Sequence, residues 1–278
     1  MFNGRKILIV TRHAKERVIA PLLEKRLRVQ CVVAQAFDTD LLGTFFGEVK
    51  RTADVKETLR QKCMGGMQLY GYDLAIASEG SFGPHPTVFF APADEEAVML
   101  VDSQNGLEIS ARELSLDTNF AAETVFNLQQ LESFAALAKF PTHGLIIKAR
   151  EGCYENMVKG IIEPDELYAV AAQYLERFGS FYVETDMRAM HNPSRMQVIA
   201  KATEKLIQRV LNECPFCKAP GFGVTAALPG LPCSLCHLPT NTTLKHLRSC
   251  LKCDYTEELL HPAGKDYEDP MYCNYCNP

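Results

Sequence analysis

Cys214-Pro-Phe-Cys217, Cys233-Ser-Leu-Cys236, Cys250-Leu-Lys-Cys253 and Cys273-Asn-Tyr-Cys276 hold eight of the chain's eleven cysteines, all between residues 214 and 276. A CxxC pair puts two thiolates on one tight turn, and two such turns facing each other close a tetrahedral four-sulfur shell around a metal ion. The intervals between successive pairs, 15, 13 and 19 residues, fit the spacing of zinc ribbons. The pattern therefore predicts a small C-terminal domain, residues 212–278, with two structural zinc sites. Below about 80 residues a domain usually needs such staples to fold.

Other uses of the cysteines fit less well. Structural disulfides need an oxidising compartment, whereas Met1-Phe-Asn-Gly-Arg-Lys6 runs straight into a strand-like segment and is no secretory signal, so a cytoplasmic setting is expected. A redox CxxC normally comes singly, between a strand and a helix. Iron in an all-thiolate site stays open, because a tetrahedral sulfur shell suits either metal. For the pairing, Cys233 to Cys253 followed by Asp254-Tyr-Thr-Glu257 reads as one complete ribbon. Nested sites are expected, Cys214, Cys217, Cys273 and Cys276 enclosing Cys233, Cys236, Cys250 and Cys253, with sequential pairing as the alternative. Eight thiolates fill two shells, which leaves His237, His246 and His261 as surface residues.

Charge argues against nucleic acid. From residue 212 onward five basic residues face seven acids, and each four-thiolate zinc adds about two more negative charges. Phosphate contacts supply most nucleic-acid affinity, and this tail repels phosphate. A closed all-cysteine site has no open catalytic position, so the tail reads as a structural or protein-docking module. The whole chain carries a formal charge of −5 and no apolar run long enough to span a bilayer, so no membrane partner is expected.

Residues 1–211 alternate strand and helix signals and predict an α/β domain on a mixed sheet flanked by helices. Strands are expected at 6–10, 29–34, 74–77, 87–91, 97–102, 108–114, 145–148 and 180–183, with an Asn105-Gly106 turn between the two strands on either side of it. Helices are expected at 14–27, 54–70, 121–139, 165–177 and 194–211. Asn192 and Pro193 should cap the last helix and leave backbone N–H groups for an anion.

Three polar loops follow strands, where open α/β sheets place ligands. The first holds Asp38, Thr39, Asp40, Gly43, Thr44, Glu48 and Arg51. The second, residues 78–86, holds Ser78, Glu79, Gly80, Ser81, Gly83 and His85, and the third, residues 184–195, holds Glu184, Asp186, Arg188 and Arg195. Carboxylates beside arginines are what magnesium and a phosphorylated small molecule need. In this reading Glu48 and Glu79, with Asp40 or Asp186, hold magnesium. Arg12, Lys15, Arg51, Ser78, Ser81, Arg188 and Arg195 bind the phosphorylated ligand, and His85 or a metal-bound water starts attack. Each residue also has a plainer role: Asp38 to Asp40 cap turns, Glu79 is solvated, His85 shapes a turn between two prolines, and Arg188 and Arg195 brace their loop against Glu184 and Asp186. Cys31, Cys63 and Cys153 read as packing residues.

Together the motifs Thr39-Asp40…Gly43-Thr44-Phe45…Gly47-Glu48…Arg51, Ser78 to Pro86 and Glu184-Thr-Asp-Met-Arg-Ala-Met190…Asn192-Pro193…Arg195-Met196, with the tail ending Tyr272-Cys-Asn-Tyr-Cys-Asn-Pro278, resemble a bacterial family known only as a domain of unknown function. That likeness covers nearly the whole chain and implies no activity. The chain departs from the pattern at Phe46, where serine is expected, and at Lys218 and His237, where zinc knuckles commonly carry glycine. In motif order the chain is also similar to the inosine triphosphate pyrophosphatase fold, through Thr11 to Lys15, Glu48, Ser78 to Gly80 and the late arginine loop. Only motif order is shared, and fold-level likeness does not establish function; the convergence of acids and cations on the three loops is what leads to the expectation of a metal-assisted hydrolase of a nucleotide or other phosphorylated small molecule. The alternative is a non-catalytic ligand-sensing or adaptor protein whose zinc ribbon docks a protein partner.

Overall fold

The computed structural model describes residues 1–35 and 54–278. It divides into two compact units, Met1–Ile207 and Gln208–Pro278.

The first unit opens with β1 (Lys6–Val10), α1 (Glu16–Leu27), β2 (Gln30–Val33), α2 (Val55–Tyr70), β3 (Leu74–Pro84), β4 (Pro92–Asp102) and β5 (Leu107–Ser115). These strands form a mixed sheet in the order β2-β1-β3-β4-β5, with β1 parallel to both neighbours and the β3-β4-β5 part antiparallel. The apolar run of β1 is buried from Ile7 to Val10 because both faces of the strand are covered. Asp54 caps α2 by accepting from Glu57 N at 2.8 Å, and Gly71 ends it in the left-handed region. Leu59, Cys63 and Met67 recur on one side of α2 and pack on Leu8, Val10, Ala75, Ala77, Met99 and Val101. Gly66 permits that approach, since a Cβ there would come within 3.2 Å of Leu8 Cδ2.

The rest of the unit builds a second sheet. β6 (Ala122–Val125), α3 (Leu128–Leu137), β7 (Leu145–Lys148), β8 (Val158–Ile161), α4 (Pro164–Phe178) and β9 (Phe181–Thr185) give the antiparallel order β6-β9-β7-β8. Val125, Leu131, Phe134, Leu145, Ile147, Leu167, Ala171, Phe181 and Val183 form its core. A long helix, α5 (Pro193–Leu211), follows.

Three expectations are corrected here. The unit has two sheets where one was expected. Residues 78–84 continue β3, pairing with 92–98, while 87–91 turns the hairpin instead of forming a strand. Glycine and proline suggested a loop, but eleven paired residues in each strand override local preference. The segment 121–139 is β6 plus α3, because Asn127 starts a new helix by accepting from Gln130 N at 3.0 Å.

The second unit contains β10 (Gly223–Pro229), β11 (Thr243–Ser249) and β12 (Thr256–Leu260) in one antiparallel sheet, β10-β11-β12. Its apolar interior is small. Phe222 and Leu231 are buried, and Phe222 packs against the Tyr255 ring and the Arg248 guanidinium. Among the described residues no helix is long and apolar enough to cross a membrane.

Candidate functional site

The eight cysteines gather as two tetrads, Cys214/Cys217/Cys250/Cys253 and Cys233/Cys236/Cys273/Cys276, with all ligand sulfurs of a set within 4.8 Å of one another. Sulfurs at the corners of a tetrahedron about a zinc 2.3 Å away stand about 3.8 Å apart. Cys214 and Cys253 are 3.8 Å apart, Cys217 and Cys250 3.5 Å, Cys233 and Cys276 3.8 Å, and Cys236 and Cys273 3.6 Å. The donor set therefore fits one metal ion per tetrad. Backbone N–H groups of Leu235, Lys252 and Cys253 point at ligand sulfurs, as thiolates require.

This interleaved pairing overturns both the nested and the sequential expectation. The cause is the sheet. β10 carries the chain from the first knuckle to the second, antiparallel β11 returns it beside the first, and β12 takes it back again. Odd and even knuckles are thereby sorted to opposite ends. Lys218 and His237, each one residue past its knuckle, adopt φ of 61° and 59°, the conformation for which glycine is favoured. Among the described residues only these tetrads bring three or more His, Cys, Asp or Glu ligands together, so His237, His246 and His261 stay outside both.

The second candidate lies in the first unit at the carboxyl edge of β1 and β3, where the order β2-β1-β3 reverses direction. Side chains alternate along a strand, which divides this region in two. On the α2 face Glu79 pairs with Lys62, both buried. On the other face stand Ser78, Gly80 and Phe82 of β3 and Asp94 and Glu96 of β4. Arg195, in the first turn of α5, reaches that face, with its Nε 2.6 Å from Glu96 Oε1, another nitrogen donating to Met187 O, and its plane 5.1 Å from the Phe82 ring. A Cβ at residue 80 would overlap both Glu96 and the Arg195 guanidinium, so only glycine admits this approach. Lys15, from the turn after β1, is buried close enough to feel Arg195 and Glu96.

The cluster is not internally satisfied. Among the described residues, Ser78 Oγ, Asp94 Oδ1 and Glu96 Oε2 are buried without a hydrogen-bond partner. Each such group costs about 1–3 kcal/mol unless something pairs with it. Burial, then the charge of Arg195, pushes the Lys15 ammonium down to about 8. Burial, then the neighbouring Glu96, pushes the Asp94 carboxyl up to about 8.

A pH dependence follows from Asp94. Between the ordinary carboxylate range and about pH 8 the folded chain holds a proton there that the unfolded chain has lost. Stability contributed by this group thus falls as pH rises through that window. Asp94→Asn should flatten the fall, as measured by the urea midpoint from pH 4 to pH 8. An unchanged slope would show that Asp94 is not held protonated.

The remaining predicted residues are dispersed. Asp38, Thr39, Asp40, Gly43, Thr44, Glu48 and Arg51 lie outside the described residues. Arg12 is exposed next to Thr11, and Ser81 is half-buried on the face opposite Ser78. His85 Nδ1 accepts from Thr87 N at 3.2 Å and Val88 N at 3.1 Å, so it shapes the hairpin turn, well beyond Glu79 along the strand. Asp186 is fully buried and gripped by Arg188 through contacts of 2.6–3.2 Å, beside the second sheet. Glu184 pairs instead with Lys148 at 2.8 Å. Glu79 and Asp186 are thus each held by a basic partner, Lys62 and Arg188 respectively. The start of α5 is also closed to an anion, because Arg195 N donates to Asn192 Oδ1 and Ser194 N to His143 Nε2.

Asp94, Glu96 and Lys62 escaped the sequence reading. Their signal was polar residues in apolar registers. Asp94 and Glu96 extend the alternation of Val98 and Leu100, and Lys62 lies on the Leu59–Cys63–Met67 stripe.

Comparison with known proteins adds a family and little else. Residues 62–278 match the profile of the family described as "Domain of unknown function (DUF6671)". No curated protein matches the chain. Among solved structures, a PelC dodecamer from Paraburkholderia phytofirmans is 12% identical, covering 50% of this chain and 86% of that one at a TM-score of 0.24. Lipoprotein GNA1162 from Neisseria meningitidis is 16% identical, covering 48% and 94% at 0.22. Neither likeness is strong enough to carry an argument about this fold.

Proposed function

This chain belongs to the family of unknown function DUF6671, and on that premise we propose that it is a metal-assisted hydrolase of a nucleotide or another phosphorylated small molecule. The observation that carries this reading is the set of buried oxygens without a hydrogen-bond partner among the described residues, Ser78 Oγ, Asp94 Oδ1 and Glu96 Oε2, near Lys15 and Arg195 beyond the carboxyl end of β1. Ligand sites combine a concave position with a few convergent polar groups of shifted pKa, and this cluster has both polar convergence and shifted groups. Lys15 and Arg195 would hold phosphate oxygens as point charge and planar fork. The free oxygens of Asp94 and Glu96 replace Glu48, Glu79, Asp40 and Asp186 as the proposed magnesium ligands, since magnesium needs only one or two carboxylates beside phosphate and water. When bound, magnesium would neutralise charge on the phosphoryl oxygens. As a magnesium ligand Asp94 would be the carboxylate, so metal binding would release the proton that burial favours there.

Zinc is the proposed occupant of both tetrads, with a structural role, because closed four-thiolate shells suit it and leave no open position. The free thiols of Cys31, Cys63 and Cys153 support a reducing, cytoplasmic setting.

The test is release of phosphate or pyrophosphate from a panel of nucleoside triphosphates with magnesium, using the full zinc-loaded chain. Lys15→Met and Glu96→Gln should each lower turnover by about a hundredfold or more. Absence of both turnover and binding across the panel would end this reading in favour of the adaptor.

A further inference from the structure

The two ends of the metal-binding sheet differ in chemistry. At the Cys214/Cys217/Cys250/Cys253 end, Lys218, Arg248 and Lys252 balance Glu213, Asp254 and Glu257. At the other end, residues 229–242 carry no Asp, Glu, Lys or Arg, and the tail from residue 261 sets Asp266, Glu268 and Asp269 against Lys265. Lys265 is itself spent on Glu268 at 3.5 Å. Asp266 is 84% exposed, and a divalent ion in four thiolates would add about two negative charges.

The same end presents large apolar side chains to solvent. Leu235 is 68% exposed, Tyr267 52%, Met271 60%, Tyr272 59% and Tyr275 67%. The metal shell draws them together, because Leu235 lies in the second knuckle and Tyr275 in the fourth, whose Cys236 and Cys273 sulfurs are 3.6 Å apart. His237 meets the Tyr267 ring edge-on at 5.8 Å, and Ser234 N donates to Glu268 O at 2.9 Å, tying the acidic loop to the same knuckle. Tyrosine and methionine are enriched in protein interfaces, and tyrosine faces attract cations.

We infer that this end docks a cationic segment of another protein, with arginine or lysine side chains set between apolar ones. The apolar side chains of the segment cover Leu235, Met271 and Tyr275, while its cations meet Asp266, Asp269 and the tyrosine faces. Nucleic acid is excluded by the sign of the charge.

The test uses the full, zinc-loaded chain and fluorescence anisotropy of a short labelled peptide alternating arginine and leucine, beside one alternating glutamate and leucine. The arginine peptide should bind and the glutamate peptide should not, with affinity falling as salt is raised. Tyr272→Ser with Tyr275→Ser should weaken binding about tenfold or more, whereas Phe216→Ser at the opposite end should leave it unchanged. Asp266→Lys, at an exposed side chain remote from the sulfur ligands, should weaken binding independently of any effect of the tyrosine changes on folding. Equal binding by all variants, equal binding of both peptides, or a Tyr275-dependent dimer that binds neither would overturn the inference.

Discussion

A chain carrying Cys217→Ser and Cys250→Ser keeps one metal ion per molecule, whereas Cys217→Ser with Cys236→Ser, or Cys217→Ser with Cys276→Ser, leaves neither site intact. These double variants separate the three ways of pairing four knuckles. Cys217 and Cys250 share a tetrad only in the interleaved arrangement, Cys217 and Cys236 only in a sequential one, and Cys217 and Cys276 only in a nested one. Metal per chain, read by native mass spectrometry or elemental analysis, decides among them. The effect is large, because a structural zinc in a small domain supplies about 10–16 kcal/mol of apparent folding free energy. Phe222 and Leu231 offer too little buried apolar surface to replace it. A strong chelator should therefore melt the β10-β11-β12 sheet, while the first unit, with its own cores, keeps its secondary structure. Retention of a full metal in the Cys217/Cys276 pair of substitutions would restore the nested reading.

The candidate metal ligands were legible because CxxC is local chemistry: two thiols on one turn need no knowledge of the rest of the chain. Their partners were not legible, since pairing depends on strand direction. Three strands of alternating sense put knuckles one and three at one end, and nothing in the interval lengths records that. The α/β character of the first unit was readable from runs such as Ile7 to Val10 and from the stripe on α2. The cap of α5 was readable too, and Asn192 does accept from Arg195 N. The stretch from Ser78 to Pro84 defeated the reading because its glycines answer to tertiary contacts. Gly80 is small to admit Glu96 and Arg195, residues 16 and 115 positions away, and a local reading assigns such a glycine to a turn. For the same reason the acids chosen from sequence were mostly those beside glycines, while Asp94 and Glu96, just before the strand expected at 97–102, were not singled out.

Replacing Arg195 by methionine should cost about 3–5 kcal/mol of stability, seen as a lower urea midpoint, because it leaves Glu96 charged and wholly buried. Gly80 offers no side chain to take over, and the freed Met187 carbonyl loses its donor as well. Lys15 moderates the loss. With the guanidinium gone, the repulsion that helps hold its ammonium down to about 8 disappears, and it remains close enough to neutralise part of the Glu96 charge. Arg195→Met should therefore fall toward the lower end of the range while Lys15 is present and toward the upper end in a Lys15→Met background. Converting both partners, Glu96→Leu with Arg195→Met, should recover most of the loss, since an apolar pair of similar volume avoids desolvating two charges. That double variant is also diagnostic for function. A pair kept for stability alone tolerates the exchange with ligand binding intact, whereas a pair that builds a binding site regains stability and loses binding. Additive losses from the two single changes would mean that Arg195 and Glu96 are not coupled, and would remove the electrostatic basis on which the proposed site rests.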